Sequence, residues 1–302
     1  MTLKRPKFTA LLLSLRPQQW VKNILVFAGI AFTGRWNWAD GRYALGAFLV
    51  FCALSSAGYL VNDVRDLESD RQHPQKRHRP LPAGEISVPV VLVLAALLTA
   101  GSLGGAWVLS RHEGALFFGL TAGTYAAVTL GYSFYFKSKV IVDVLTIAGL
   151  FVLRAVAGCV VIPVAISPWI VICTLLGALF LALCKRRHEL LLLGENTPTR
   201  TVLREYSPQL LDQMIAIVCA CTIMSYSLYT FTAEAVRQHA GEQPWLMLTI
   251  PFVIFGVFRY LYLVYRRDIG GNPELMFTDK QMILNILLWM LLVLIITRSR
   301  QL

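Results

Sequence analysis

Val88–Leu109 reads VPVVLVLAALLTAGSLGGAWVL, a stretch of 22 residues without one charged side chain. As a helix it would run about 33 Å, the thickness of a bilayer's hydrocarbon core. Similar windows recur at Val140–Ile162, with one Asp and one Arg, at Ile215–Thr232 and at Met282–Thr297. A single such window could be a buried core helix, but repetition along the chain makes the bilayer the solvent. Composition agrees, since the 302 residues are 56% hydrophobic and only 15% charged.

Working outward from that window predicts about nine spans, at 22–34, 44–64, 88–109, 115–134, 140–162, 168–184, 210–232, 245–265 and 281–297. The expected fold is all-α, a polytopic membrane helical bundle. No Pro/Gly/Ser-rich linker interrupts it, so residues 1–302 read as one domain. The basic stretch before the first span lacks a small-residue cleavage site after a short apolar core, and no removable signal peptide is expected.

The net charge of +11 might suggest a nucleic-acid partner, but the charges sit between the spans. With the N-terminus inside, alternate loops carry 19 Lys/Arg against six on the other side. This asymmetry expects a membrane protein with its N-terminus in the cytoplasm, its C-terminus outside for nine spans and no nucleic-acid partner. Membrane lipids are expected neighbours, and a homo-oligomer is compatible with the pattern. All six cysteines fall in or at the ends of apolar spans and read as small buried hydrophobes. Gly101 with Gly105, and Gly119 with Gly123, have the spacing that lets membrane helices approach closely.

Clustered ionisable groups lie almost entirely in the inner loops. The densest is Asn62-Asp63-Val64-Arg65-Asp66-Leu67-Glu68-Ser69-Asp70, at the inner end of the second span. On a continuing helix Asp63, Asp66 and Asp70 share one face, with Asn62 one turn from Asp66. Like charges at a membrane boundary are costly unless a cation neutralises them, and hard oxygen ligands suit Mg²⁺. Asn62, Asp63, Asp66 and Asp70 are therefore the expected metal ligands, and the three aspartates the catalytic carboxylates. By the same repulsion, removing one aspartate should cost activity with little loss of folded protein.

The next run, Arg71-Gln72-His73-Pro74-Gln75-Lys76-Arg77-His78-Arg79-Pro80-Leu81-Pro82, is basic and stiffened by proline, a loop suited to phosphate. Lys76, Arg77 and Arg79 are the expected contacts. His73 and His78 lack metal-ligand spacing and are expected to be solvated. Further candidates are Lys22 at the entrance to the first span, Tyr135, Lys137 and Lys139 in the second inner loop, and Asp143 with Arg154 in the fifth span. Arg154 lies eleven residues beyond Asp143 on nearly the same helix face, and an arginine inside a membrane usually faces a polar cavity. Lys185, Arg186, Arg187 and Glu189 close the set. The plain alternatives are interface anchoring for Lys22 and Tyr135 and helix-dipole complementation for the basic triplet.

The Asn-Asp-x-x-Asp-x-x-x-Asp pattern, the Arg79-Pro80-Leu81-Pro82-Ala83-Gly84 that follows it and the nine-span layout resemble the UbiA superfamily of intramembrane prenyltransferases. The resemblance implies that these aspartates bind a diphosphate through Mg²⁺. Members usually carry a second aspartate pair, but here the comparable loop is Tyr132-Ser133-Phe134-Tyr135-Phe136-Lys137-Ser138-Lys139, with Asp143 as its one acid. Fewer carboxylates and more cations suit a donor richer in phosphate. Arg16-Pro17-Gln18-Gln19-Trp20-Val21-Lys22-Asn23, the Tyr135–Lys139 loop and Lys185-Arg186-Arg187-His188-Glu189-Leu190 resemble the superfamily's decaprenyl-phosphate phosphoribosyltransferase branch. That resemblance implies 5-phosphoribosyl 1-diphosphate (PRPP) as donor, a polyprenyl (decaprenyl) phosphate as acceptor and a role in cell-wall arabinan synthesis. A conventional UbiA prenyltransferase is the alternative enzyme. An ion or lipid transporter is the alternative of another class, which the lack of internal symmetry argues against.

Overall fold

The structure is a computed structural model that describes residues 5–33, 37–112, 115–193, 201–232, 245–267, 269–271 and 273–298. All regular structure among them is helical. The contacts divide them into two compact units, one reaching Ile166 and including Thr201, and one made of the other described residues from Ser167 onward.

The first unit contains α1 (Lys7–Ser14), a 3-10 segment (Pro17–Phe27), α2 (Ala28–Thr33), α3 (Trp38–Arg65), α4 (Leu67–Gln72), α5 (Val88–Leu109), α6 (Phe117–Phe134) and α7 (Val142–Val161). Its centre is α3, of whose most apolar window 61% is buried, against 17% for α5. Phe51 and Leu54 of α3 pack with Val26, Phe118, Tyr125 and Leu150. Outward-facing Leu92, Val93 and Leu97 of α5 are exposed, as befits helices whose solvent is hydrocarbon. Asn37 caps α3, its side-chain oxygen accepting the Asp40 N–H at 2.8 Å.

The second unit contains α8 (Pro168–Leu193), α9 (Pro208–Thr232), α10 (Ile250–Arg267) and α11 (Lys280–Arg298). Asp279 caps α11 through the Met282 N–H at 3.0 Å, and its carboxylate holds Arg259 of α10 by two hydrogen bonds of 3.1 and 2.8 Å.

Six described helices are long and apolar enough to cross a membrane, and the expected count of nine is not reached. Lys280–Ile296 is apolar but shorter, while Thr, Gly and Tyr dilute α6. The expected span at 22–34 is split, 3-10 as far as Phe27 and α-helical from Ala28. Runs of 3-10 helix beyond a few residues are uncommon. This one is fastened from outside: Trp20 Nε1 donates to Ser56 Oγ at 3.0 Å, and Asn23 Nδ2 to Ser55 Oγ at 3.2 Å. At Gly158 of α7, an added Cβ would stand 1.9 Å from the Val26 carbonyl oxygen. Close backbone approach thus occurs there rather than at Gly101 and Gly123, which have open space. Of the cysteines, Cys52, Cys159, Cys184 and Cys219 are buried as expected, but Cys173 is half-buried and Cys221 exposed.

Candidate functional site

The acidic motif sits where α3 gives way to α4. The helix bends at Asp66 (φ −97°, ψ 9°), yet the hydrogen-bond ladder crosses the bend. The Asp66 N–H reaches the Asn62 carbonyl at 2.9 Å, and the Asp70 N–H reaches the Asp66 carbonyl at 2.8 Å. The register expected for the three aspartates is kept, although they stand on two helices rather than one. Asp63 and Asp70 are buried and Asp66 is half-buried.

The three carboxylates do not converge as a set. No group of three or more His, Cys, Asp or Glu among the described residues is close enough to hold a metal ion. Each is instead met by a basic side chain. Arg79 bridges two, its Nη1 donating to Asp70 Oδ2 at 2.8 Å and Asp63 Oδ1 at 3.2 Å. Arg16 donates to the same oxygen of Asp63, and Lys137 donates to Asp66. Lys76 lies 4.0 Å from Asp70. Burial and the neighbouring Arg16 pull the Arg79 guanidinium below its usual pKa, an effect Asp63 and Asp70 oppose. In the same motif, Asn62 Oδ1 is buried without a hydrogen-bond partner. An orphaned amide oxygen in the same motif as the three aspartates adds a neutral hard donor, so the residue types present are those Mg²⁺ accepts.

The loop after α4 holds its shape by local means. His73, expected in solvent, is buried, and its Nδ1 accepts the N–H groups of Gln75 and Lys76 at 3.2 and 3.4 Å. Gly84 takes φ +72°, a left-handed turn that suits glycine. Leu81 and Ile86 pack beneath the loop with Leu60 and Val91. This anchoring presents Arg79 to the aspartates, while Arg77 is exposed and donates to His78 at 3.3 Å.

The remaining expected site residues are held among other neighbours. Tyr135 is exposed, with Lys139 5.3 Å over its ring, and Lys22 donates to Gln19. Asp143 is fully buried at the start of α7. Arg154 is buried and well supplied with acceptors: Nε to Asn23 Oδ1 at 2.7 Å, Nη1 to the Leu150 carbonyl at 2.9 Å and Nη2 to the Tyr125 hydroxyl at 2.6 Å. In the second unit, Lys185, Arg186, Arg187 and Glu189 share the end of α8. Arg186 bonds Glu189, and Arg187 bonds Asp212 at 2.5 Å with its guanidinium 4.0 Å over the Tyr265 ring.

Sequence reasoning missed Arg16, which approaches Asp63 from 47 residues away. The available signal was Arg16-Pro17, because proline bars the ordinary helical conformation of the residue before it.

Residues 23–291 match the family model described as the UbiA prenyltransferase family. The chain is 36% identical over 282 residues to a decaprenyl-phosphate phosphoribosyltransferase of Corynebacterium glutamicum, covering 91% of this chain and 83% of the relative. It is 33% identical over 278 residues to the enzyme of that name from Mycolicibacterium smegmatis, covering 88% and 85%. Its fold is similar to a UbiA homolog from Archaeoglobus fulgidus bound to GPP and Mg²⁺, with a TM-score of 0.72 at 18% identity, covering 96% and 98%.

Proposed function

The chain belongs to the UbiA prenyltransferase family and is a multi-pass membrane protein, and from that premise we propose that it transfers the 5-phosphoribosyl group of PRPP to decaprenyl phosphate, releasing diphosphate. The observation that carries this reading is the pairing of each motif carboxylate with a basic side chain from another segment: Arg16, Arg79 or Lys137. A donor carrying both a diphosphate and a ribose phosphate needs this surplus of cations beside its metal ligands. Decaprenyl phosphate is the matching acceptor, as in the named relatives.

Asn62, Asp63, Asp66 and Asp70 would hold Mg²⁺, which supplies positive charge to the departing diphosphate. The protein's own side chains carry the rest. Arg79 offers a planar fork to two phosphate oxygens, and Lys137 a point charge beside Asp66. These fixed cations stabilise the leaving group as C1 of the ribose gains oxocarbenium character. The acceptor phosphate is already an anion, so attack needs no general base, and configuration at C1 inverts. The uneven Lys/Arg distribution supports a site facing the cytoplasm with the N-terminus inside, and nine spans, as read from the sequence, would leave the C-terminus outside the plasma membrane.

Purified protein given Mg²⁺, PRPP and decaprenyl phosphate should yield a phosphoribosyl lipid and diphosphate, both read by mass spectrometry. Turnover of a prenyl diphosphate with an aromatic acceptor, and none with PRPP, would replace this reading with conventional prenyl transfer.

A further inference from the structure

Arg16 lies outside the 23–291 stretch that matches the family, yet its guanidinium is bonded to the first aspartate of the motif. Its backbone is left-handed (φ 53°, ψ 59°) at a non-glycine position directly before Pro17. Such a conformation is costly and persists where the surroundings enforce it. The enforcing contacts are present: the Arg16 carbonyl accepts the Gln19 N–H at 2.8 Å, the Tyr59 ring lies 4.9 Å beneath the guanidinium, and Trp20 and Asn23 fasten the following segment to α3. A second non-glycine residue of positive φ, Ile141 (φ 66°, ψ −43°), follows the loop that brings Lys137 to Asp66 and centres a tight turn closed by the Val142 N–H on the Val140 carbonyl at 2.7 Å. Both segments that deliver a cation from afar thus carry a strained joint beside it.

Charge accounting gives these placements a meaning. Asp63, Asp66 and Asp70 face Arg16, Lys137, Arg79 and Lys76, four cations to three carboxylates, so no negative charge is left over for a lone cation. A divalent cation arriving alone must displace these side chains and then sit beside the charges it has displaced. Repulsion would offset most of what the carboxylates offer. A diphosphate arriving with the cation changes the exchange, because its oxygens accept the displaced guanidinium and ammonium groups.

We propose that Arg16 is a donor-binding residue with two stations: on Asp63 it screens the motif against a lone divalent cation, and it passes to the diphosphate when metal and donor enter together. This rests on the reading of the motif as a metal and diphosphate site. The consequence is coupling, in which diphosphate tightens the metal and the metal tightens diphosphate by the same factor. A residue that only braced the fold would produce no such reciprocity.

The test is equilibrium dialysis of the full-length protein in nanodiscs with Mn²⁺, the free ion read by electron paramagnetic resonance, with and without inorganic diphosphate and corrected for the Mn²⁺–diphosphate complex in solution. Wild-type protein should bind Mn²⁺ about tenfold more tightly when diphosphate is present. Arg16→Gln should bind Mn²⁺ alone about tenfold more tightly than wild type while losing most of the gain from diphosphate, and Arg16→Lys should restore it. If Arg16→Gln does not fold, Lys137→Gln makes the same measurement at Asp66. Equal Mn²⁺ affinity of wild type with and without diphosphate would overturn the coupling and leave the metal site standing. Unchanged or weaker Mn²⁺ binding by the Gln variant would overturn the two-station role. No Mn²⁺ binding even with diphosphate would overturn the metal-site reading, and this inference with it.

Discussion

Arg154 of α7 donates from Nε to Oδ1 of Asn23 at 2.7 Å, and so ties the fifth expected span to the 3-10 segment that carries Arg16. The same guanidinium reaches Tyr125 of α6 and the Leu150 carbonyl. A buried arginine with three oxygen acceptors is a fastening, and the acidic motif depends on it through the segment it fastens.

Asn23→Leu removes one of those acceptors and leaves part of a buried cation unsolvated. The expected loss is about 1–3 kcal/mol. It should register as a lower melting temperature of purified protein in detergent, and an unchanged value would deny the bond energetic weight.

Gly158→Ala is expected to be more severe. Its new methyl would press on the Val26 carbonyl, a backbone atom with no rotamer to change. Folded yield should collapse, whereas Gly101→Ala, in open space, should purify like wild type. Size-exclusion profiles distinguish the two.

Asp63→Asn and Asp66→Asn should each lower transfer by about a hundredfold or more, measured as phosphoribosyl lipid formed. Stability separates the aspartates differently from what mutual repulsion suggests. Asp63→Ala leaves both Arg16 and Arg79 without their shared acceptor, so it should also cost about 1–3 kcal/mol. Denaturation of the alanine variant reads that cost directly.

Arg79→Ala and Arg77→Ala are neighbouring changes with opposite expectations. The first removes the bridge between Asp63 and Asp70 and should lower transfer by about a hundredfold. The second removes an exposed side chain bonded to His78 and should leave the rate near wild type. Equal losses would mean that the loop rearranges when donor binds.

Two hydrogen bonds from Arg259 hold the Asp279 carboxyl below its usual pKa, and the Met282 N–H adds to the effect. A depressed folded-state pKa contributes stability that is complete above the unfolded value of about 3.9 and is lost as pH falls through the folded one. The melting-temperature gap between wild type and Asp279→Ala should therefore be widest near neutrality and close in acid. At neutral pH, loss of the helix cap alone is worth about 1 kcal/mol.

Much of this was legible in the sequence because it depends on local spacing. Residues three and four apart meet on a helix whatever surrounds it, so the aspartate register survives the bend at Asp66. Charge-free windows set the long helices in the same way. What escaped depends on distant partners. Arg16 and Asp63 are far apart in the chain, and Lys137 and Asp66 farther still. The sequence could list these cations but not seat them. Arg77 and Arg79 look alike in a basic run, and only the buried Leu81 and Ile86 determine which one turns inward. The 3-10 segment was illegible because its pitch follows side-chain fastenings to α3 and α7.

One of those fastenings is also an optical one. The Trp20 indole donates to Ser56 only four residues from Arg16, on the segment that must give if Arg16 changes station. Indole emission moves to the red when the ring meets water. With the other six tryptophans replaced by phenylalanine, this residue would report by colour, in the unlabelled protein, whether the segment stays docked as donor arrives.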